Sequence, residues 1–228
     1  MSDLERQIAK IGLVIEALKL NPNNPFTWAS GYRMPIYNDN RRFLFDSYDR
    51  GLVSEALLQS YRGMHIRERH LIIAGTSTAG IPWGTLLADR TGANFIYVRD
   101  KPKDHGLRNQ IEGIGSESDL SGGRILLIED LISTGGSSVK AVQTLRDAKG
   151  DCKDCLSIFN YGLPEAKRLF EDLTPPCNVN SVLTYETLID VAKEERYITE
   201  NEIRLLEEWR ADPFGWGEKH GFPRIEKK

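Results

Sequence analysis

The run RILLIED, residues 124–130, constrains the fold more than any other part of the chain. Its apolar core is unbroken by polar alternation, so the strand it forms must be covered on both faces. The residues that follow, LISTGGSSVKAVQTLRDAKG, turn into an amphipathic helix ending near Gly150. The same pairing recurs upstream: HLIIAG (70–75) leads through TSTAG to a helix over 81–90, and NFIYV (94–98) reads as the next strand. Downstream, CLSIFNY (155–161) and VNSVLTY (179–185) are further strands. Apolar strands alternating with amphipathic helices give the α/β class, a parallel sheet flanked by helices. Ligands of such sheets bind beyond the carboxyl ends of the strands, where the loops at 75–80, 99–123 and 131–138 fall.

The flanks of this core are less regular. Leu4, Ile8, Ile11, Ile15 and Leu18 recur at helical spacing, with Ser2 or Asp3 as N-cap, up to the turn formers NPNNP. FTWASGYRMPIYNDNRRF then reads as short strands or a covering loop, and a second helix spans 48–62. The stretch 99–123 is long and polar, and two helices close the chain. Trp209 and Trp216, around Asp212-Pro213, are expected to pack an amphipathic helix and tail onto the domain. With 228 residues and no linker or repeat, one domain over 1–228 is expected. A chain of this size buries roughly 70–75% of its unfolded surface and needs no metal or disulfide staple.

Charge and cysteine content narrow the classes of function. Thirty Lys and Arg against thirty-three Asp and Glu give a net charge of -3, without the basic excess of a general nucleic-acid or anionic-membrane binder. No apolar run reaches the ~20 residues that span a bilayer, and the N-terminus lacks a basic and then apolar signal pattern. Three cysteines are few and odd in number, which fits a reducing, cytoplasmic compartment. Cys152 and Cys155 form a lone CxxC, which we read as structural, at the entry to a strand.

The chemistry concentrates in ILLIEDLISTGGSS, residues 125–138. The strand delivers Glu129 and Asp130 to the end of the sheet, where burial is expected to cease. In the turn after them, glycines allow positive φ and close approach to a ligand. Unpaired N–H groups at the helix start, with the dipole behind them, form a phosphate site. Hydroxyls of Ser133, Thr134, Ser137 and Ser138 can add donors. Neither a GK[ST] P-loop nor a GxGxxG turn is present. Carboxylates repel phosphate, so the two acids must face sugar hydroxyls, a metal ion, or both. A phosphate beside a diol is a ribose 5-phosphate.

Thr76, Ser77 and Thr78 lie in a second loop of small residues that opens a helix, a second anion site suited to a pyrophosphate. The stretch from Arg99 through Lys101, Lys103 and His105 to Arg108 is basic and without periodicity. A long loop of this kind in a compact domain is often a lid, and its cations would exclude water and neutralise a leaving group.

The segment from 125 to 138 resembles the phosphoribosyl-pyrophosphate (PRPP) motif of type I phosphoribosyltransferases. YVRDKPKDHGLRNQIEG is similar to the flexible catalytic loop of the orotate phosphoribosyltransferases, and PFTWASGYRMPIYNDNR resembles the hood segment of the same family. The resemblance implies a single phosphoribosyltransferase domain with a hood at about 20–45, a lid at about 99–120 and a C-terminal helical tail at about 199–228. It implies transfer of ribose 5-phosphate from PRPP to orotate, giving orotidine 5'-phosphate and pyrophosphate in pyrimidine (UMP) biosynthesis. Lys103, His105, Arg99 and Lys101 are then catalytic. Glu129, Asp130, Leu131, Ile132, Ser133, Thr134, Gly135, Gly136 and Ser137, with Thr76, Ser77 and Thr78, bind PRPP. Ser133 meets orotate and Tyr37 is its stacking partner. Mg²⁺ is held through PRPP and water near Glu129 and Asp130, with no direct protein ligand. A homodimer is implied, in which the lid serves the neighbouring subunit's site. Some branches of the family carry lysines at the positions of Ala29, Ala79 and Asp100, and a base-contacting arginine that corresponds to Tyr161; those contacts are not carried over. The rival readings are a phosphoribosyltransferase for a purine or other base, and a non-catalytic PRPP-sensing regulator.

Overall fold

The computed structural model describes residues 2–66, 70–101, 110–115 and 119–226. In chain order the elements are α1 (Asp3–Val14), β1 (Leu18–Leu20), β2 (Phe26–Thr27), β3 (Arg33–Met34), β4 (Ile36–Asn38), a 3-10 turn over Asn40–Leu44, and α2 (Ser47–Gly63). There follow β5 (Leu71–Thr76), α3 (Gly80–Thr91), β6 (Asn94–Val98), β7 (Ile111–Glu112), β8 (Arg124–Ile132) and α4 (Gly136–Asp147). The chain closes with β9 (Asp151–Asn160), α5 (Pro164–Glu171), β10 (Asn178–Thr184), α6 (Tyr185–Glu194), α7 (Glu200–Ala211) and α8 (Trp216–Lys219). They fall into two units, one formed by Met1–Asp49 with Glu186–Lys228 and the other by Arg50–Tyr185.

The unit over Arg50–Tyr185 is built on a six-stranded sheet in the order β10-β9-β8-β5-β6-β7, parallel except for β7. β8 lies inside it, and Ile125, Leu126, Leu127 and Ile128 are all fully buried, as an apolar run without alternation requires. Ile125 and Leu127 pack in one cluster with Val142 and Leu145 of α4 and Phe170 of α5, so that face of the sheet is covered by helices. β8 runs two residues past the acidic pair, to Ile132, and Glu129 stays paired opposite Ser157 of β9. Burial therefore does not cease at the acids. β7 was not legible in the polar stretch: two residues, Ile111 and Glu112, return antiparallel beside Val98 and Tyr97 and close the sheet edge. α5 is likewise additional; it opens with Pro164 at a position where a missing N–H costs nothing. The CxxC lies within β9 rather than at its entry. Cys152, Cys155 and Cys177 are free and buried, and loss of solvent pushes all three thiols above their ordinary range.

In the other unit, Ser2 is the N-cap of α1. Its Oγ accepts from the Glu5 N–H at 3.2 Å, while Glu5 Oε2 accepts from the Ser2 N–H at 3.0 Å. α1 stops at Val14, short of the expected Leu18, because Glu16 takes φ 55° and turns the chain into β1. Leu18 then packs back on Gly12 of the same helix, which is why its spacing looks helical: a Cβ on Gly12 would meet its Cδ1 at 2.7 Å. β1 pairs antiparallel with β4, and β2 with β3. The tail packs as expected within this unit. Trp209 is fully buried, donates from Nε1 to Met34 Sδ, and meets Trp28 edge-on, while Trp216 stacks on Phe222. Among the described residues no helix is long and apolar enough to cross a membrane.

Candidate active site

Two strands of the sheet interior, β5 and β8, lie side by side, with β8 running on past the end of β5, and each leads through a short loop into a helix. The loops after them face a cleft of about 240 Å³ lined by Thr76, Ser77, Thr78, Glu129, Asp130 and Ser137, among others. That is smaller than the ~300–1,000 Å³ of pockets that enclose a drug-sized ligand, and it suits a phosphoryl or diphosphoryl group.

The helix starts at this cleft lack the side-chain caps of α1 and α7, as do those of α5 and α8 elsewhere in the chain. α1 and α7 are closed by capping boxes on Ser2 and Thr199. α3 and α4 have Ala79 and Gly135 at the N-cap, and no side chain caps either. Their first-turn N–H groups therefore have no capping side chain, and the positive ends of both helix dipoles meet the loops. Gly135 is required by its backbone: φ is 82°, and a Cβ would lie 3.2 Å from Ala166 Cα. Gly80 is required by space, since a Cβ would stand 2.4 Å from Thr76 Oγ1 and 2.6 Å from the Ile128 carbonyl. The first loop is also tied to the neighbouring strand by the Ser77 N–H, which donates to the Val98 carbonyl at 2.8 Å.

The two acids have different surroundings. Glu129 is 6% exposed. Its Oε1 accepts from Thr76 Oγ1 at 2.6 Å and from the Asp130 N–H at 3.1 Å, and its Oε2 accepts from Ser138 Oγ at 2.8 Å. It thus braces the end of β5 against the first turn of α4. Burial, followed by the charge of Asp130, pushes its pKa up to about 8, against the opposing pull of the Thr76 and Ser138 hydrogen bonds. Asp130 is half-buried on the cleft wall. Ser138 is 1% exposed and its hydroxyl is engaged by Glu129, so it is a brace and not a hydroxyl offered to a ligand.

Thr76, Ser77, Thr78, Arg99, Glu129, Asp130, Leu131 and Ser137 line one cleft. Ser133, Thr134 and Gly135 form the loop between β8 and α4, Gly136 opens α4, and Ile132, the last residue of β8, is 1% exposed within the apolar core. Arg99 Nη1 lies 3.7 Å from Glu112 Oε1, a pairing that depends on β7 and was not foreseen. Lys101 is exposed at the end of the described stretch, and Lys103 and His105 lie outside the described residues. Tyr37, on β4 of the other unit, is 36% exposed and tilts against Phe26 with ring centroids 5.7 Å apart. Tyr161 is 1% exposed and packs edge-on against Phe159. The reading from sequence missed Lys140, Ala141 and Thr144 of α4 as cleft residues. Their period of three to four from Ser137 was the available signal.

No protein-family model matches the chain. An orotate phosphoribosyltransferase of Bacteroides fragilis is 41% identical to it over 221 residues, covering 95% of this chain and 98% of the relative. One from Enterococcus faecalis is 42% identical over 217 residues, covering 95% and 100%. The crystal structure of orotate phosphoribosyltransferase from Aeropyrum pernix superposes with a TM-score of 0.69 at 26% identity, covering 84% of this chain and 99% of that one.

Proposed function

The chain belongs to the orotate phosphoribosyltransferase family, and from that premise we propose how its own residues carry out the reaction. The enzyme transfers the ribose 5-phosphate of PRPP to orotate in pyrimidine biosynthesis. A bond forms between a ring nitrogen of orotate and C1' as the C1'–O bond to pyrophosphate breaks, and the proton of that nitrogen passes to solvent or to the departing diphosphate. Charge builds on the leaving diphosphate and on the ribosyl carbon, so catalysis is positioning and charge stabilisation, with no covalent nucleophile.

The observation that carries the assignment of roles is the meeting of two uncapped helix starts around one acidic pair. In this reading the segment from Leu131 to Ser137, the end of β8, its loop and the start of α4, holds the 5'-phosphate through backbone N–H groups and hydroxyls. Thr76, Ser77 and Thr78 hold the pyrophosphate. Asp130 orients the ribose hydroxyls from the cleft wall, and Glu129 does so while bracing both loops. Arg99, Lys101, Lys103 and His105 neutralise the leaving pyrophosphate, Ser133 meets orotate, and Tyr37 stacks on it.

The donor set fits Mg²⁺. A half-buried carboxylate beside hydroxyls supplies hard oxygens without a closed cage, and that ion keeps waters and substrate oxygens. Glu129 and Asp130 would hold its waters. When bound, the ion supplies neutralising charge to the diphosphate.

The reading includes a single phosphoribosyltransferase domain and a cytoplasmic homodimer in which residues from about 99 to 120 serve the neighbouring subunit's cleft. Mixing two inactive variants tests the roles and the assembly together. Asp130→Asn and Lys103→Ala should each lower turnover at least about a hundredfold, a loss of roughly 2.7 kcal/mol of transition-state stabilisation. Hybrid dimers hold one site with both lesions and one with neither, so the equilibrated mixture should recover up to about a quarter of wild-type activity. Recovery no better than the sum of the parents would reject the shared site.

A further inference from the structure

We propose that Lys140 of α4 is a further substrate-binding residue, whose ammonium contacts the diphosphate of PRPP and of the pyrophosphate product. The proposal rests on the functional reading above and adds a cation to it. Among the described residues, the ionisable side chains lining the cleft are Asp100, Glu129 and Asp130, the second of them buried and with a raised pKa, against Arg99 and Lys140. That balance does not favour a polyanion. Helix dipoles help, yet each contributes only a fraction of a charge. Ala79, beside the Thr76–Thr78 loop, supplies no cation. Arg99 lies within ion-pair distance of Glu112.

Lys140 is placed differently. It stands one helical turn after Ser137, on the side of α4 that faces the cleft, where Ala141 and Thr144 also appear. Its Nζ donates one hydrogen bond, at 2.9 Å, to the backbone carbonyl of Asp100, and among the described residues it forms no ion pair. A carbonyl holds the ammonium over the cleft without neutralising it. An ammonium carries three N–H donors, so two remain for phosphoryl oxygens. The carbonyl it grips lies next to Arg99, whose N–H donates to the Gln110 carbonyl at 2.8 Å, and Gln110 Nε2 also reaches the Asp100 carbonyl at 3.5 Å. The long side chain is thereby preorganised between the cradle helix and the end of β6, and little entropy remains to be lost when the anion arrives.

The test is calorimetric titration of wild type, Lys140→Met and Lys140→Arg with three ligands: PRPP, inorganic pyrophosphate, and ribose 5-phosphate, which has no diphosphate. For Lys140→Met, PRPP and pyrophosphate should each bind about tenfold more weakly, the size of one charge-assisted contact, while ribose 5-phosphate stays within about twofold. Lys140→Arg should restore most of the loss. In turnover, Lys140→Met should raise KM for PRPP and the inhibition constant for pyrophosphate together, and leave KM for orotate alone. Unchanged diphosphate binding in Lys140→Met, or equal weakening of ribose 5-phosphate, overturns the proposal; so does a wild-type protein that binds no diphosphate. Wild type that binds PRPP and pyrophosphate but leaves orotate untouched would sink the functional reading, and the comparison of variants would still decide the place of Lys140.

Discussion

At Glu129, burial and the neighbouring Asp130 raise the pKa to about 8, while its oxygens take hydrogen bonds from Thr76 and Ser138. In the unfolded chain the same carboxyl titrates near 4.3. Between about pH 4.5 and 8 the unfolded state has lost this proton and the folded state still holds it. Stability contributed by the protonated form is therefore complete below pH 4.5 and falls as pH rises through 8. Glu129→Gln removes that titration, so its stability relative to wild type should rise across this window by up to a few kcal/mol, read as unfolding midpoints in urea. Parallel pH curves for the two proteins would refute the raised pKa. The adjacent glycines separate folding from binding. Gly135→Ala puts a side chain at φ 82° against Ala166 and should cost at least about 1–2 kcal/mol of stability. A Cβ on Gly136 meets nothing within 4 Å, so Gly136→Ala should fold normally and raise KM for PRPP about tenfold where the phosphate would sit. At this scale the acidic pair was legible because two carboxylates before a small-residue turn have few other uses. The commitment of Ser138 to Glu129 was not, since a turn hydroxyl bonded to a ligand and one bonded to a neighbour look alike in sequence.

Among the elements, strands β5, β6, β8 and β9 could be read from apolar runs, the interior ones because a strand covered on both faces leaves an unbroken signature, while the edge strand β10 (NVNSVLT) showed only in its last residues. β7 could not. Its two residues are defined by pairing with Tyr97 and Val98 across a long insertion, and no local pattern encodes that partner. α1 was overextended because Leu18 returns to the same helix face from a strand. Ala79→Asp places a carboxylate at the uncapped start of α3, where the dipole should gain about 0.3–1 kcal/mol of stability. The same charge would repel a diphosphate and should raise KM for PRPP at least about tenfold. Thermal unfolding and steady-state kinetics of one variant thus check both halves, and a gain in stability with KM unchanged would remove the pyrophosphate from this loop.

Across the whole molecule, the sequence carried the parallel sheet and the tail packing further than the division into two units. Trp209 and Met34 are 175 positions apart, and only their shared apolar character foretold contact within one unit. The two-unit division groups residues from both ends of the chain, which no run of composition marks. In the reading proposed above, the cleft beyond β5 and β8 binds PRPP and cations of the 99–110 segment act on its leaving group. Absorbance-monitored consumption of orotate by purified protein, with PRPP and Mg²⁺, tests it most directly against Lys103→Ala. Consumption should require all three components and fall at least about a hundredfold in the variant. Orotate left untouched by the wild type, or turned over equally well by Lys103→Ala, would contradict it.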